Sequence, residues 1–299
     1  MKIGLVIIAL LLLLGGGGYW YVEVYQPRQY AKAVLALEDE LKAYGAQMSQ
    51  PQFRWRYDYE TAINALDRYD AFFAQWLKKI EALKPPMFNQ ELKEFHVDLL
   101  IIGTEFPKGA DRARKTIAFV KNAIEIDRIY NPESTTIRET LPPELRSNQP
   151  PLPMSQPYDL GTAIDYFKSR LAAAKPYADA MFNQEPIDLG GNTFAELKSL
   201  WEEMNQAVNT VLPALEQKYG RNKPLGSLPS PSELEKTIPG AAFFGRGMDE
   251  FERKLESIII RGGAQEILQS SLYPQSGDFQ QRSQSVGESL KKLREQYGK

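Results

Sequence analysis

Along the chain, one unbroken apolar run gives way to segments in which apolar residues recur every three or four positions. The run is Ile3 to Val22, 20 residues with no charge, held between Lys2 and Glu23. As a helix rising ~1.5 Å per residue, a run of that length matches the ~30 Å hydrocarbon thickness of a bilayer. After it, Tyr30, Val34, Leu37, Leu41 and Tyr44 form a helical seam that ends near Gly45, with Pro27 expected to kink or break the helix. The strongest seam is Tyr59, Ala62, Leu66, Tyr69, Phe73, Trp76, Ile80 and Leu83, spaced alternately by 3 and 4. A repeat averaging ~3.5 residues keeps one face toward a neighbour and predicts nearly antiparallel packing in a left-handed bundle.

Pro85 and Pro86 end that helix, and Asn89 is placed to cap the next, which carries Leu92, Phe95, Leu99, Ile102 and Phe106. Pro107 and Gly109 predict an interruption, after which Ala113, Ile117, Val120 and Ile124 resume the spacing. Asp127 then stands where an apolar residue is due, which predicts fraying or a change of face. Seven prolines between Asn131 and Tyr158 mark a connection without regular structure. Ile164, Phe167, Leu171, Ala174, Ala178 and Met181 form a helix bent at Pro176. Thr193 and Glu196 fit a capping box ahead of Phe194, Leu197, Trp201, Met204, Val208, Val211 and Leu215, with a kink at Pro213 and a stop at Gly220. Past a second Gly, Pro and Ser stretch to Pro239, Met248, Phe251, Leu255 and Ile258 mark a helix closed by Gly262 and Gly263. Val286, Leu290, Leu293 and Tyr297 mark the last one.

These elements predict an all-α protein: an N-terminal transmembrane helix followed by extracytoplasmic antiparallel helical bundles. The expected division is a transmembrane anchor or signal peptide at 1–26, a first bundle at 27–131, a Pro-rich linker at 132–159, a helical hairpin at 160–220, a second linker at 221–247 and C-terminal helices at 248–299. Met87-Phe88-Asn89-Gln90-Glu91 recurs as Met181-Phe182-Asn183-Gln184-Glu185, and Thr61-Ala62-Ile63-Asn64 is echoed by Thr162-Ala163-Ile164-Asp165, which suggests a duplicated helical hairpin.

Charge sets the orientation. Lys2 and the α-amine are the only positive groups near the amino end, so the N-terminus is expected on the cytoplasmic side of an inner membrane and the bulk of the chain outside. Tyr19, Trp20, Tyr21 and Tyr25 fall where the run meets the outer interface, the depth preferred by rings with one apolar and one hydrated end. The alternative is a secretory signal with an apolar core at Ile3 to Leu14, cut before Tyr19, and a secreted product. The net charge of −2 shows no basic excess, which argues against nucleic acid as a partner. With no cysteine, disulfides, thiolate metal sites and a lipidated cysteine are excluded.

Candidate chemistry is sparse. His96 is the sole histidine, and the position three residues before it is Lys93, so the Glu-x-x-His metal pattern fails. Its place beside Phe95 predicts a packed residue. No catalytic, cofactor or metal constellation is visible. Glu133, followed by Ser134, is the one faint candidate for a carboxylate-dependent envelope hydrolase. Phe243-Phe244-Gly245-Arg246-Gly247 reads as a hinge, because Asp249 and Glu250 already fill the positive end of the helix that follows.

Phe53, Arg54, Trp55, Arg56 and Tyr57 alternate aromatic and basic side chains. They give either a partner-binding strip or the irregular lead-in to a helix. The functional expectation is a non-enzymatic scaffold or assembly subunit, held to the lipid bilayer through Ile3–Val22 and contacting other envelope or membrane proteins, with self-association open. A helical binding protein for an apolar or glycan ligand, built around Trp76 and Trp201, is the alternative.

Overall fold

The computed structural model describes residues 19–47, 51–131, 159–184, 193–272 and 277–298. Residues 3–18 of the apolar run, the Pro-rich segment at 132–158 with Glu133, and the second pentapeptide's Glu185 lie outside them. The fold is all-α: among the described residues the sole β contact is an isolated bridge between Asp159 and Pro224. The membrane-anchor expectation gains no support from these residues, because no helix among them is long and apolar enough to cross a membrane.

The helices are α1 (Gln26–Gln47), α2 (Tyr59–Ala82), α3 (Gln90–Tyr130), α4 (Leu160–Phe182), α5 (Thr193–Gln206), α6 (Leu212–Tyr219), α7 (Pro231–Leu234), α8 (Arg246–Arg261), α9 (Ala264–Leu272) and α10 (Gly277–Tyr297). They fall into two compact units. The first takes the described parts of Met1–Gln52, Thr61–Asp111 and Gln269–Lys299, and the second takes Phe53–Glu60 and Arg112–Leu268.

The core of the first unit joins the seams of α1, α2, early α3 and α10: Val34, Phe73, Trp76, Ile80, Phe95, Leu99 and Leu293 are all buried in it. Trp76 donates its indole N–H to the Leu37 carbonyl at 3.1 Å, so the ring is held by an α1 backbone group as well as by packing. Arg294 of α10 reaches Glu38 at 2.8 Å and Asp39 at 2.5 Å, and Arg282 reaches Asp98 at 2.6 Å. Such exposed pairs fix register more than they add stability, at ~0–1 kcal/mol each.

The prolines leave their helices continuous. Pro27, expected to kink or break its helix, and Pro213, expected to kink its own, each follow a five-residue π-turn, Tyr21–Tyr25 and Ala207–Val211. A proline lacks the N–H for the carbonyl four residues back and its ring crowds that carbonyl. The wider turn, closed from Gln26 to Tyr21 and from Leu212 to Ala207, moves the carbonyl aside.

Pro107 does not interrupt either, since α3 runs unbroken from Gln90 to Tyr130. Ile102, Ala110 and Ala113 are buried around it, and that packing outweighs a proline cost of ~3 kcal/mol. Nor does the helix fray at Asp127.

Gly109 has a packing role instead of a breaking one: a Cβ there would lie 2.9 Å from the Ser271 carbonyl oxygen and 3.2 Å from Leu272 Cα. Backbone at that distance cannot rotate away. Gly109→Ala is therefore expected to destabilise the protein by about 1–3 kcal/mol in denaturant titration, and a neutral result would show that α9 yields freely.

The two pentapeptides have no shared place. Met87 and Phe88 sit exposed in the turn before α3, whereas Met181 and Phe182 are buried at the end of α4. The Thr-Ala-Ile stretches do correspond, each opening at the third residue of a helix.

The second unit buries Phe119, Leu197, Met204, Val208 and Phe251. The 221–247 stretch belongs to it as ordered turns with buried Leu234, Ile238 and Phe243. Phe243 and the 5.2 Å contact between the Phe244 and Phe167 rings make Phe243–Gly247 a packed corner in place of the expected hinge.

Candidate functional site

The aromatic and basic strip enters the second unit as a turn, with no strand. Phe53 and Trp55 are half-buried, Arg54 and Arg56 are exposed, and Tyr57 is buried. Arg56 is tied to the chain itself: its guanidinium donates to the Ile260 carbonyl and pairs with Glu266 at 2.8 Å, and its carbonyl accepts from Ala264 at 2.7 Å. Tyr59 adds a 2.7 Å bond from its hydroxyl to the Gly262 carbonyl. These bonds fasten the strip to the α8–α9 corner within the second unit, and they leave Arg54 and part of Phe53 and Trp55 toward solvent.

His96 is buried and accepts or donates at Nδ1 with the Tyr30 hydroxyl at 3.0 Å. Burial lowers its pKa, as it does for a neutral packed imidazole. Among the described residues no group of His, Asp and Glu could hold a metal ion.

The arrangement with chemical potential lies in the second unit, at the end of α3. Asp127 is 2% exposed, on a face otherwise occupied by Ile124, Ile126 and Tyr130. Asn131 donates to its Oδ1 at 3.3 Å and also hydrogen-bonds Glu252 of α8, so one amide bridges two carboxyl groups. Burial pushes the Asp127 carboxyl up to about 6, with the charges of Glu252 and Glu256 adding to the effect. Glu252 is raised as well, by burial and by Asp249.

Arg170 of α4 stands beside them, buried to 1% exposure on the same face as Leu171 and Ala174. Its Nη1 donates 2.6 Å to the Tyr130 carbonyl, the last of α3, where the helix dipole is negative. Its guanidinium lies 4.2 Å from the centroid of the Tyr166 ring. Tyr130 packs edge-on to Phe251, which in turn contacts Trp201.

The result is a buried cation, two carboxyl groups that hold their protons more tightly than usual, and two phenols within one apolar surround. Perturbed titratable groups gathered in this way mark candidate functional sites. The seam pattern exposed Asp127 as an anomaly. It gave no sign of Arg170, whose position one residue before Leu171 reads as the edge of an amphipathic face.

No protein-family model, no curated protein and no solved structure matches this chain.

Proposed function

We propose that the chain is a single-pass, membrane-tethered helical protein whose bulk lies on the extracytoplasmic side and acts by binding other envelope proteins, without catalysis. One observation carries the tethering: the described residues are helical from Tyr19, inside the uncharged run, through the π-turn and into α1. Along that single path the exposure inverts. Tyr19 and Trp20 are 69% and 55% exposed, and Tyr21 and Tyr25 stack outside any core, whereas from Tyr30 onward the same helix is buried in the first unit. Amphipathic rings left outside the core beside an apolar run suit the headgroup layer of a bilayer.

The test is membrane fractionation of the full chain in a bacterial host. The chain is expected to stay with the membrane pellet through an alkaline carbonate wash, and the variant carrying both Leu12→Lys and Leu13→Lys is expected in the supernatant, because each charge at the centre of a span costs ~2.5–3.5 kcal/mol. Protease added to spheroplasts should digest the bulk. Release of the unaltered chain by carbonate would defeat the proposal, and a mature chain beginning at Tyr19 would replace the tether with a cleaved signal. Turnover of an envelope substrate, lost on a single carboxylate substitution, would overturn the non-catalytic part.

A further inference from the structure

Between α2 and α3 the chain reads Leu83-Lys84-Pro85-Pro86-Met87-Phe88-Asn89, and the turn it makes inverts the usual burial. Pro86 is buried, whereas Met87 and Phe88 stand 64% and 70% exposed. Both sides of the pair are held. The Pro86 carbonyl accepts from the Asn89 N–H at 3.4 Å, and Asn89 Oδ1 accepts from the Leu92 N–H at 2.9 Å, capping α3. Tyr19–Tyr25 supplies five of the nine large apolar side chains that stand exposed among the described residues, and Met87 and Phe88 supply two more.

Contacts within the first unit place these two groups at one end of it. Tyr44 stacks on Phe72 at 3.8 Å and the Leu37 carbonyl accepts from Trp76, so α2 runs back along α1 and finishes toward its start. Phe73 meets Phe106 at 4.2 Å, and a Cβ on Gly103 would touch Leu77 and Ile80, so α3 in turn runs back along α2. The Tyr30 hydroxyl and His96 Nδ1, 3.0 Å apart, then join the early turns of α1 and α3. Tyr21 precedes Tyr30 and Phe88 precedes His96 by similar lengths of chain, so each lies on the order of 12 Å beyond that bond, in the same direction.

We infer that the Met87-Phe88 turn is a second membrane contact, its side chains entering the headgroup and upper acyl region of the leaflet that Tyr19–Tyr25 meets. The inference rests on the tether proposed above: a chain held in lipid through the uncharged run brings this end of the bundle against the bilayer, where apolar side chains gain by leaving water. A protein partner would have to enter the headgroup layer to reach them, whereas lipid is already there.

The chain has no cysteine, so one introduced thiol labels one place. Trp20→Cys, Phe88→Cys and Gln47→Cys, the last exposed at the far end of α1, are each labelled with nitrobenzoxadiazole, and the full chain is placed in phosphatidylethanolamine and phosphatidylglycerol nanodiscs. The label at Phe88→Cys is expected to emit to the blue of that at Gln47→Cys, to lose intensity to doxyl-labelled lipid and to be spared by aqueous iodide, with the reverse at Gln47→Cys. Lipid quenching at Trp20→Cys with iodide quenching at Phe88→Cys would overturn the inference and leave the tether standing. Iodide quenching at both positions would defeat the tether as well. Protection of Phe88→Cys from both quenchers would mean that a second copy covers the turn, which also overturns the inference.

Discussion

Asp127→Asn is expected to make the protein more stable at neutral pH, and the gain should vanish in acid. In the folded state this carboxyl titrates at about 6, well above an exposed aspartate at about 3.9. The folded state therefore holds the proton more tightly than the unfolded chain does. Stability from this residue is full below the unfolded value and is lost as pH rises from about 4 through about 6. The gap corresponds to about 3 kcal/mol once the group is ionised in both states. Asparagine carries no charge, and its Oδ1 can still accept from Asn131, so it escapes that cost. Denaturant titrations of both proteins at about pH 8 and about pH 4 should differ by about 2–3 kcal/mol at the first and by a few tenths at the second. Equal stability at both values would mean that Asp127 is hydrated in solution and not buried as drawn.

Phe251→Ala should have the largest effect of any single truncation in the second unit. The ring is 0% exposed and lies between Tyr130, 6.1 Å away edge-on, and Trp201, 6.2 Å away. Removing it deletes a full apolar side chain and leaves a cavity walled by two large rings that cannot collapse, at a cost of about 3–5 kcal/mol. A loss below about 1 kcal/mol would show that Tyr130 and Trp201 close over the gap.

The helical architecture was legible in the spacing of apolar residues, since that spacing records which face is buried. In α2, Ala62, Leu66, Phe73, Trp76 and Ile80 are all buried as the seam requires. Breaks were less legible, because the cost of a proline is local and known whereas the packing that offsets it is not written nearby. Ile102, near Pro107, is buried in a core that also takes Val286 and Leu293, far along the chain.

The helix α9 escaped notice because Ala264, Ile267 and Leu268 make too short a stripe to stand out beside two glycines. Of the candidate site, Asp127 was visible as a polar residue on an apolar seam. Arg170 was not, because an arginine at the margin of a helix face is ordinary until its neighbours are known. The strip at Phe53–Tyr57 posed the reverse problem: rings and guanidinium groups that suggest a partner surface are partly consumed by the chain's own corner at Ile260–Glu266.

The pairing of α10 with α1 has a consequence for synthesis. The segments of the second unit are enclosed in sequence between those of the first, and Leu293 and Arg294 are translated after all of them. Val34 and Phe73 must wait, unshielded, for α10 to be translated before their core is sealed, while the second unit, translated in between, can finish first. A stop codon ahead of α10 would thus harm segments made before the second unit, not the unit made just before the break.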